Sequence, residues 1–280
     1  MYEILKKEML NPVISRLTVK APLVARAAQP GQFIILRVDG EGERIPLTIG
    51  GYDRENGSVS VMFQVAGGTT ERLMHMEEGD FLADFVGPLG KPTEIEGRRR
   101  VCVVGGGVGC AIAYPIAKAL FEQGTETHVI IGFRDTTRIV LESEFAAAAT
   151  HLHVLTDDGS NGNKGFVTVA LEELLKAGET FDEVIAIGPL RMMQAVANLT
   201  KPYGIKTIVS MNPIMIDGTG MCGGCRLTVG GEMKFACVDG PDFDGHEVDF
   251  DEALARGAMY KDFEKAEYEA ACNLFEKKGA

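Results

Sequence analysis

No apolar stretch in the 280 residues approaches the roughly 20 needed to cross a bilayer. The first ten residues carry Glu3, Lys6, Lys7 and Glu8, so they lack the apolar core of a secretory signal. Positive charge is short, with 28 Lys and Arg against 40 Asp and Glu, a net charge of −12. That argues against binding nucleic acid by phosphate neutralisation and gives no attraction to an anionic membrane surface. Cysteine is sparse: six residues do not make a disulfide-dense secreted domain. The five histidines show no metal-ligand spacing, and His151 and His153 merely flank an expected strand. Repeats and low-complexity tracts are absent. The expectation is a cytoplasmic globular protein of about two domains plus an appendage, with no nucleic-acid or membrane partner.

What is present is concentrated. Three of the six cysteines, Cys222, Cys225 and Cys237, follow Asp217 in the order D-x₄-C-x₂-C-x₁₁-C. With cysteine in place of the aspartate, this is the plant-type [2Fe–2S] spacing. Asp217 stands where the fourth ligand belongs, and a carboxylate is harder than a thiolate, so a shifted potential is expected. Gly218, Gly220, Gly223 and Gly224 let the loop wrap closely and leave N–H groups for cluster sulfurs. Two other readings stand beside this one. Three cysteines and an aspartate can hold zinc, although the x₁₁ spacing without a fourth Cys or His is poor for it. Asp217-Gly218 is also a common turn pair, in which case water or a partner's residue completes the site.

Residues 1–97 read as an all-β barrel, with short runs at 13–19, 31–38, 58–65 and 81–85 separated by turn signals such as Asn56-Gly57. From 98 to 212, apolar runs alternate with helical stretches: strands at 101–104, 127–131, 151–156, 183–187 and 207–210, helices at 111–123, 167–177 and 190–199. That alternation predicts a doubly wound parallel sheet that binds a nucleotide. Residues 213–245 form the cluster segment, with little periodicity of their own. Seven acids between Asp239 and Glu252 read as a solvated face. In the tail, 246–280, Tyr260, Phe263, Ala271, Leu274 and Phe275 recur at helical intervals, as in an amphipathic helix that docks on the body or on a partner.

Three motifs fit nucleotide chemistry. Gly105, Gly106, Gly107, Val108 and Gly109 close the first strand of the sheet and open its first helix, where a pyrophosphate is well received. Cys110 replaces the third glycine of the G-x-G-x-x-G fingerprint, and no acid ends the second strand, so an ordinary Rossmann site is disfavoured. Gly188, Pro189 and Met192 follow another strand; core filling by Met192 and Met193 is an equally good reading. Arg44, Pro46, Leu47 and Thr48, with Gly67, Gly68, Thr69 and Thr70, offer a cation, hydroxyls and bare amides to a phosphorylated ligand.

Together these pieces resemble the ferredoxin–NADP⁺ reductase superfamily, to about residue 245. Pro46-Leu47-Thr48 looks like its flavin strand, 67–70 like its flavin pyrophosphate loop, and 87–90 like the turn closing the flavin domain. The segments 105–109 and 188–193 look like its nicotinamide-nucleotide sites. The order of barrel, nucleotide sheet and [2Fe–2S] segment resembles the electron-transfer subunits of dihydroorotate dehydrogenase. It resembles more closely the small subunits of NADH-dependent ferredoxin:NADP⁺ oxidoreductases, favoured by the sequence Arg44–Ile49 and by Asp217. The resemblance implies FAD, a [2Fe–2S] cluster and NAD(H) or NADP(H) as cofactors. It also implies a larger flavin and iron–sulfur partner subunit, through which ferredoxin is reached. Three departures are visible. Arg44 stands four residues before Thr48, where the superfamily places its arginine three before. Ile187 stands where many members have cysteine. No Ser-Arg pair marks a 2′-phosphate site, which leaves Arg134 as the candidate and NADH against NADPH open. A reading of another class remains: a zinc-stabilised regulatory subunit on a degenerate reductase fold.

Overall fold

The computed structural model describes the backbone of residues 1–276 and the side chains through Cys272. Leu274 and Phe275 of the expected tail stripe lie outside the described side chains.

Seven antiparallel strands form the first sheet: β1 (Tyr2–Asn11), β2 (Ile14–Lys20), β3 (Phe33–Arg37), β4 (Ile45–Asp53), β5 (Ser58–Gln64), β6 (Phe81–Leu82) and β7 (Asp84–Leu89). They are ordered β6-β1-β2-β5-β4-β3-β7. The two end strands are consecutive in the chain, with only Ala83 between them, so the sheet curls until its edges nearly meet. Bulges between Ile4 and Lys6 in β1 and between Ile49 and Gly51 in β4 supply curvature. Alternate residues Leu17 and Val19, Ile34 and Leu36, and Val59, Val61 and Phe63 fill the interior. The barrel agrees with the sequence reading, with one addition. The charged N-terminal stretch is itself a strand, β1, in which Ile4 alone is fully buried. Two short helices, α1 (Pro22–Ala27) and α2 (Gly68–Met74), complete this layer.

The second sheet contains β8 (Arg100–Gly106), β9 (Glu126–Phe133), β10 (His151–Thr156), β11 (Glu183–Ile187) and β12 (Lys206–Ser210). They run parallel in the order β10-β9-β8-β11-β12. Helices α3 (Gly109–Glu122), α4 (Glu142–Ala146), α5 (Val167–Lys176) and α6 (Leu190–Thr200) cover both faces. Val103 and Val129 pack with Ile116 and Leu120 on one side. Val104 and Ile130 pack with Leu171 and Met193 on the other. Burial on both faces is why these strands are continuous apolar runs in the sequence.

The cluster segment is more regular than its sequence suggests. Strands β13 (Arg226–Val229) and β14 (Glu232–Phe235) form a hairpin turning on Gly230 and Gly231, both at positive φ. Strand β15 (Asp242–Asp244) then adds antiparallel to β12. Of the acids in this region Glu247, Asp249 and Asp251 are exposed, as a solvated face requires, while several also accept from backbone amides. Asp239 accepts from the Phe235 amide, Asp249 from the Glu252 amide and Glu252 from the Thr228 amide. Helices α7 (Phe250–Gly257) and α8 (Lys261–Glu276) end the described chain, and α8 packs on α2. Among the described residues, no helix is long and apolar enough to cross a membrane.

Candidate functional site

Strand order fixes where a ligand can enter the parallel sheet. From β8 the chain proceeds through β9 to β10 on one side, then returns to β11 on the other. The crevice at the carboxyl ends of β8 and β11 is therefore a topological switch point. The two glycine motifs expected to bind nucleotide meet there. A Cβ on Gly109 would sit 2.5 Å from the Ile187 carbonyl oxygen and 2.6 Å from Gly188 Cα. One on Gly106 would collide with the Met192 sulfur, and one on Gly188 would come 3.1 Å from the Gly106 carbonyl oxygen. Gly107 takes φ +56° at the turn into α3. Arg134 is exposed at the carboxyl end of β9, and its carbonyl accepts from the Asp158 amide. Cys110, at the start of α3, is fully buried, and burial pushes its thiol pKa up, so it packs rather than reacts.

The flavin residues expected from the sequence lie on the barrel beside this crevice. Pro46, Leu47 and Thr48 pair with Ile35, Ile34 and Phe33 in an unbroken register. Arg44 precedes the strand, and no bulge lies between it and Thr48. Its Nη1 is 3.9 Å from Asp84, a carboxylate already bound by Arg37 at 2.7 Å. Its Nε is shut off from solvent and has no partner. A buried guanidinium donor left over in this way fits an anionic ligand from outside the chain. At the start of α2, the Thr70 hydroxyl accepts from the Ala66 and Gly67 amides and donates to the Gly67 carbonyl. Thr69 donates to Glu43, which draws the helix start toward Arg44. Both hydroxyls thus shape the loop, and the amides of the first turn are what the helix start offers a phosphate.

The four expected cluster ligands sort into two pairs. Cys225 and Cys237 are buried, with sulfurs 3.2 Å apart. Asp217 and Cys222 form the other pair. The Asp217 carboxylate accepts from the Thr219 amide at 2.8 Å and the Cys222 amide at 2.7 Å, and it also receives the Cys222 thiol. Those amides hold the Asp217 pKa below the ordinary carboxylate value, so it offers a full charge. Burial, with the neighbouring Cys225 sulfur, pushes the Cys237 thiol up to about 12. Two thiols crowded out of water are stabilised once a metal replaces their protons. A division into two pairs suits a two-iron cluster, in which each iron takes two protein ligands. A single tetrahedral zinc would draw all four to one point. The Gly224 amide points at Cys222 and the Cys237 amide at Cys225, each 3.5 Å from sulfur.

The three regions adjoin. Gly50 of β4 faces α3: a Cβ there would lie 3.9 Å from the Ala111 carbonyl oxygen. Gly218 of the cluster loop faces the adjoining strands β3 and β7, where a Cβ would come 2.6 Å from Leu89 and 3.0 Å from Ile35, the strand partner of Pro46.

Nucleotide crevice, flavin strand and cysteine loop in this sequence define a flavin and iron–sulfur oxidoreductase of the ferredoxin reductase type. Comparison with known proteins agrees. The oxidoreductase NAD-binding domain model matches residues 103–198, and the iron–sulfur cluster binding domain of dihydroorotate dehydrogenase B matches 212–249. A Thermotoga maritima dihydroorotate dehydrogenase B (NAD⁺) electron transfer subunit homolog is 46% identical, covering 95% of this chain and 94% of its own. An uncharacterised Clostridium beijerinckii protein is 50% identical, covering 93% and 91%. A solved chain of the NADH-dependent reduced ferredoxin-NADP oxidoreductase, described in terms of flavin-based electron bifurcation, superposes with a TM-score of 0.92. It has 44% identity and covers 96% of this chain and 97% of that one. The chain belongs to the family of dihydroorotate dehydrogenase B-type electron transfer subunits and their homologues.

Proposed function

We propose that the chain is the small subunit of an NADH-dependent ferredoxin:NADP⁺ oxidoreductase. In this reading it links two-electron exchange at a nicotinamide nucleotide to one-electron exchange with a larger flavin and iron–sulfur subunit. The observation that carries it is that α3, which opens at the nucleotide crevice, and the cysteine loop both abut the flavin barrel. FAD, when bound, supplies hydride exchange with the nicotinamide and single-electron exchange with a [2Fe–2S] cluster.

The protein's part is positional. Gly106, Gly109 and Gly188 bring β8, α3 and α6 close enough to shape the nucleotide crevice, with Pro189 and Met192 as its wall. Arg44 and the first-turn amides at 67–70 hold the flavin pyrophosphate. Pro46, Leu47 and Thr48 would line the flavin, and Arg134 would be available to the nucleotide's adenosine part. Asp217, Cys222, Cys225 and Cys237 hold the cluster. Hydride exchange between two bound cofactors needs no protein acid or base. In this reading ferredoxin and the second nucleotide are reached through the larger subunit, in the cytoplasm. The pairing of the cluster ligands speaks against the zinc-stabilised regulatory reading.

Anaerobic purification from the native source tests this. The expected result is a coloured complex with flavin bands, an iron–sulfur shoulder and a larger flavin and iron–sulfur partner, bleached by a nicotinamide nucleotide. A colourless zinc protein overturns the proposal. An orotate-forming partner replaces it with the dihydroorotate dehydrogenase reading.

A further inference from the structure

Strand register joins residues that the sequence keeps apart. The parallel pairing of β9 with β10 sets His151 opposite His128, and the two-residue period places Glu126 on the same face. One ligand atom from each lies within 4.8 Å of the others, and the two imidazole centroids are 4.3 Å apart. The cluster sits at the amino ends of these strands, the opposite end of the sheet from the nucleotide crevice.

His128 is in an unresolved hydrogen-bonding position. It is 3% exposed, and its Nδ1 is shut off from solvent without a partner. Its Nε2 is 3.1 Å from a Glu126 carboxylate oxygen and 3.2 Å from Nη2 of Arg100. A neutral imidazole nitrogen carries a hydrogen or a lone pair, never both. With the hydrogen, Nε2 serves Glu126 and confronts the Arg100 donor. With the lone pair, it serves Arg100 and confronts the carboxylate. A metal ion removes the conflict, because lone pair and carboxylate then point at the same positive centre. Arg100 keeps its charge balanced without His128: Nε donates to the Glu126 carboxylate at 3.0 Å, Nη2 is 2.5 Å from Glu179, and Nη1 donates to the Thr180 carbonyl at 3.3 Å.

We propose that Glu126, His128 and His151 form a binding site for a divalent transition-metal ion of the Zn²⁺ class. Two imidazoles and a carboxylate are the borderline donors zinc takes, with water at the remaining position. Exposed His151 is the entry side. An ion there ties β10, the edge strand of the parallel sheet, to β9 and so acts on stability rather than on electron transfer.

The test is calorimetric titration of Zn²⁺ into chelator-washed, cluster-loaded protein, with thermal melting in parallel. We expect one Zn²⁺ per chain and a raised Tm. Affinity should fall more than about tenfold in Glu126→Gln and His151→Ala. His151 is exposed, so His151→Ala should melt like the parent when zinc is absent. No binding by the parent overturns the proposal. Zinc binding of undiminished affinity in His151→Ala also overturns it, because the ion then sits elsewhere, the cysteine loop being the obvious place.

Discussion

Gly68 and Glu267 stand in backbone contact: a Cβ on Gly68 would meet the Glu267 carbonyl oxygen at 3.0 Å and its carbonyl carbon at 3.3 Å. The tail helix α8 thereby rests on the first turn of α2, the turn whose amides face the flavin pyrophosphate in the proposed function. Neither neighbouring atom belongs to a flexible side chain, so α8 must move to admit a methyl group. Gly68→Ala is expected to destabilise the full chain by about 1–2 kcal/mol. In a chain ending before α8 the same change should be neutral or slightly stabilising, since alanine suits a helix better than glycine. Thermal denaturation of the four proteins measures that reversal, and equal effects in both backgrounds would show that the contact is immaterial.

A second long-range contact sets a pH dependence. Thr93 donates to the Asp242 carboxylate at 2.5 Å, and the other oxygen, Oδ1, is shut off from solvent without a partner. Burial raises the Asp242 pKa above its ordinary value of 3.8. A raised carboxyl favours the folded state fully below the unfolded value and loses that contribution as pH rises through the folded value. Asp242→Asn keeps an acceptor for Thr93 and removes the buried charge. It should therefore raise Tm at pH 8, and the gain should shrink as pH falls toward 4. A constant difference across that range would show that the charge is not the cause.

The parallel sheet was legible in the sequence because strands buried on both faces are unbroken apolar runs, and 151–156 and 183–187 coincide with β10 and β11. Strand β1 was hidden because Lys6, Lys7 and Glu8 lie along a strand that leaves little but Ile4 in the core. The β13–β14 hairpin did carry a signal, Gly230-Gly231 between Val229 and Glu232, which the surrounding glycines obscured. Asp242 was invisible as a buried group, since only pairing with β12 takes it out of the acidic run around it. Spacing brought Cys222, Cys225 and Cys237 forward, and the structure adds their division into pairs. It could not unite His128 with His151, because 23 residues separate them and only the β9–β10 register makes them neighbours.

The nucleotide crevice gives a graded pair of substitutions. At Gly109 an added methyl meets backbone, the Ile187 carbonyl and Gly188. At Gly106 it meets the Met192 sulfur, the far part of a flexible side chain. Gly109→Ala should abolish nicotinamide nucleotide binding while FAD and cluster spectra persist. Gly106→Ala should weaken binding by about tenfold or less, as Met192 swings aside. Nucleotide titration followed by flavin fluorescence compares them, and equal losses at both positions would contradict the assignment of the crevice.

The cysteines should separate cleanly in thiol chemistry once iron is removed. Cys222 is exposed and lies in a glycine-rich loop. Cys102 and Cys110 are fully buried, and burial raises both thiols out of the reactive range. Cys225 and Cys237 are buried with sulfurs already 3.2 Å apart, and burial pushes the Cys237 thiol up to about 12. Brief alkylation of the iron-free chain under reducing conditions should therefore label Cys222 well before Cys225 or Cys237. Exposure to air should instead join Cys225 to Cys237 and leave Cys222 free. Reconstitution with iron and inorganic sulfide should protect all three. Asp217→Ala bears on the same experiment: if Asp217 is a ligand, the reconstituted variant should leave Cys222 open to alkylation while Cys225 and Cys237 stay protected. Peptide mass spectrometry reads each outcome, and full protection of Cys222 in Asp217→Ala would remove the aspartate from the ligand set.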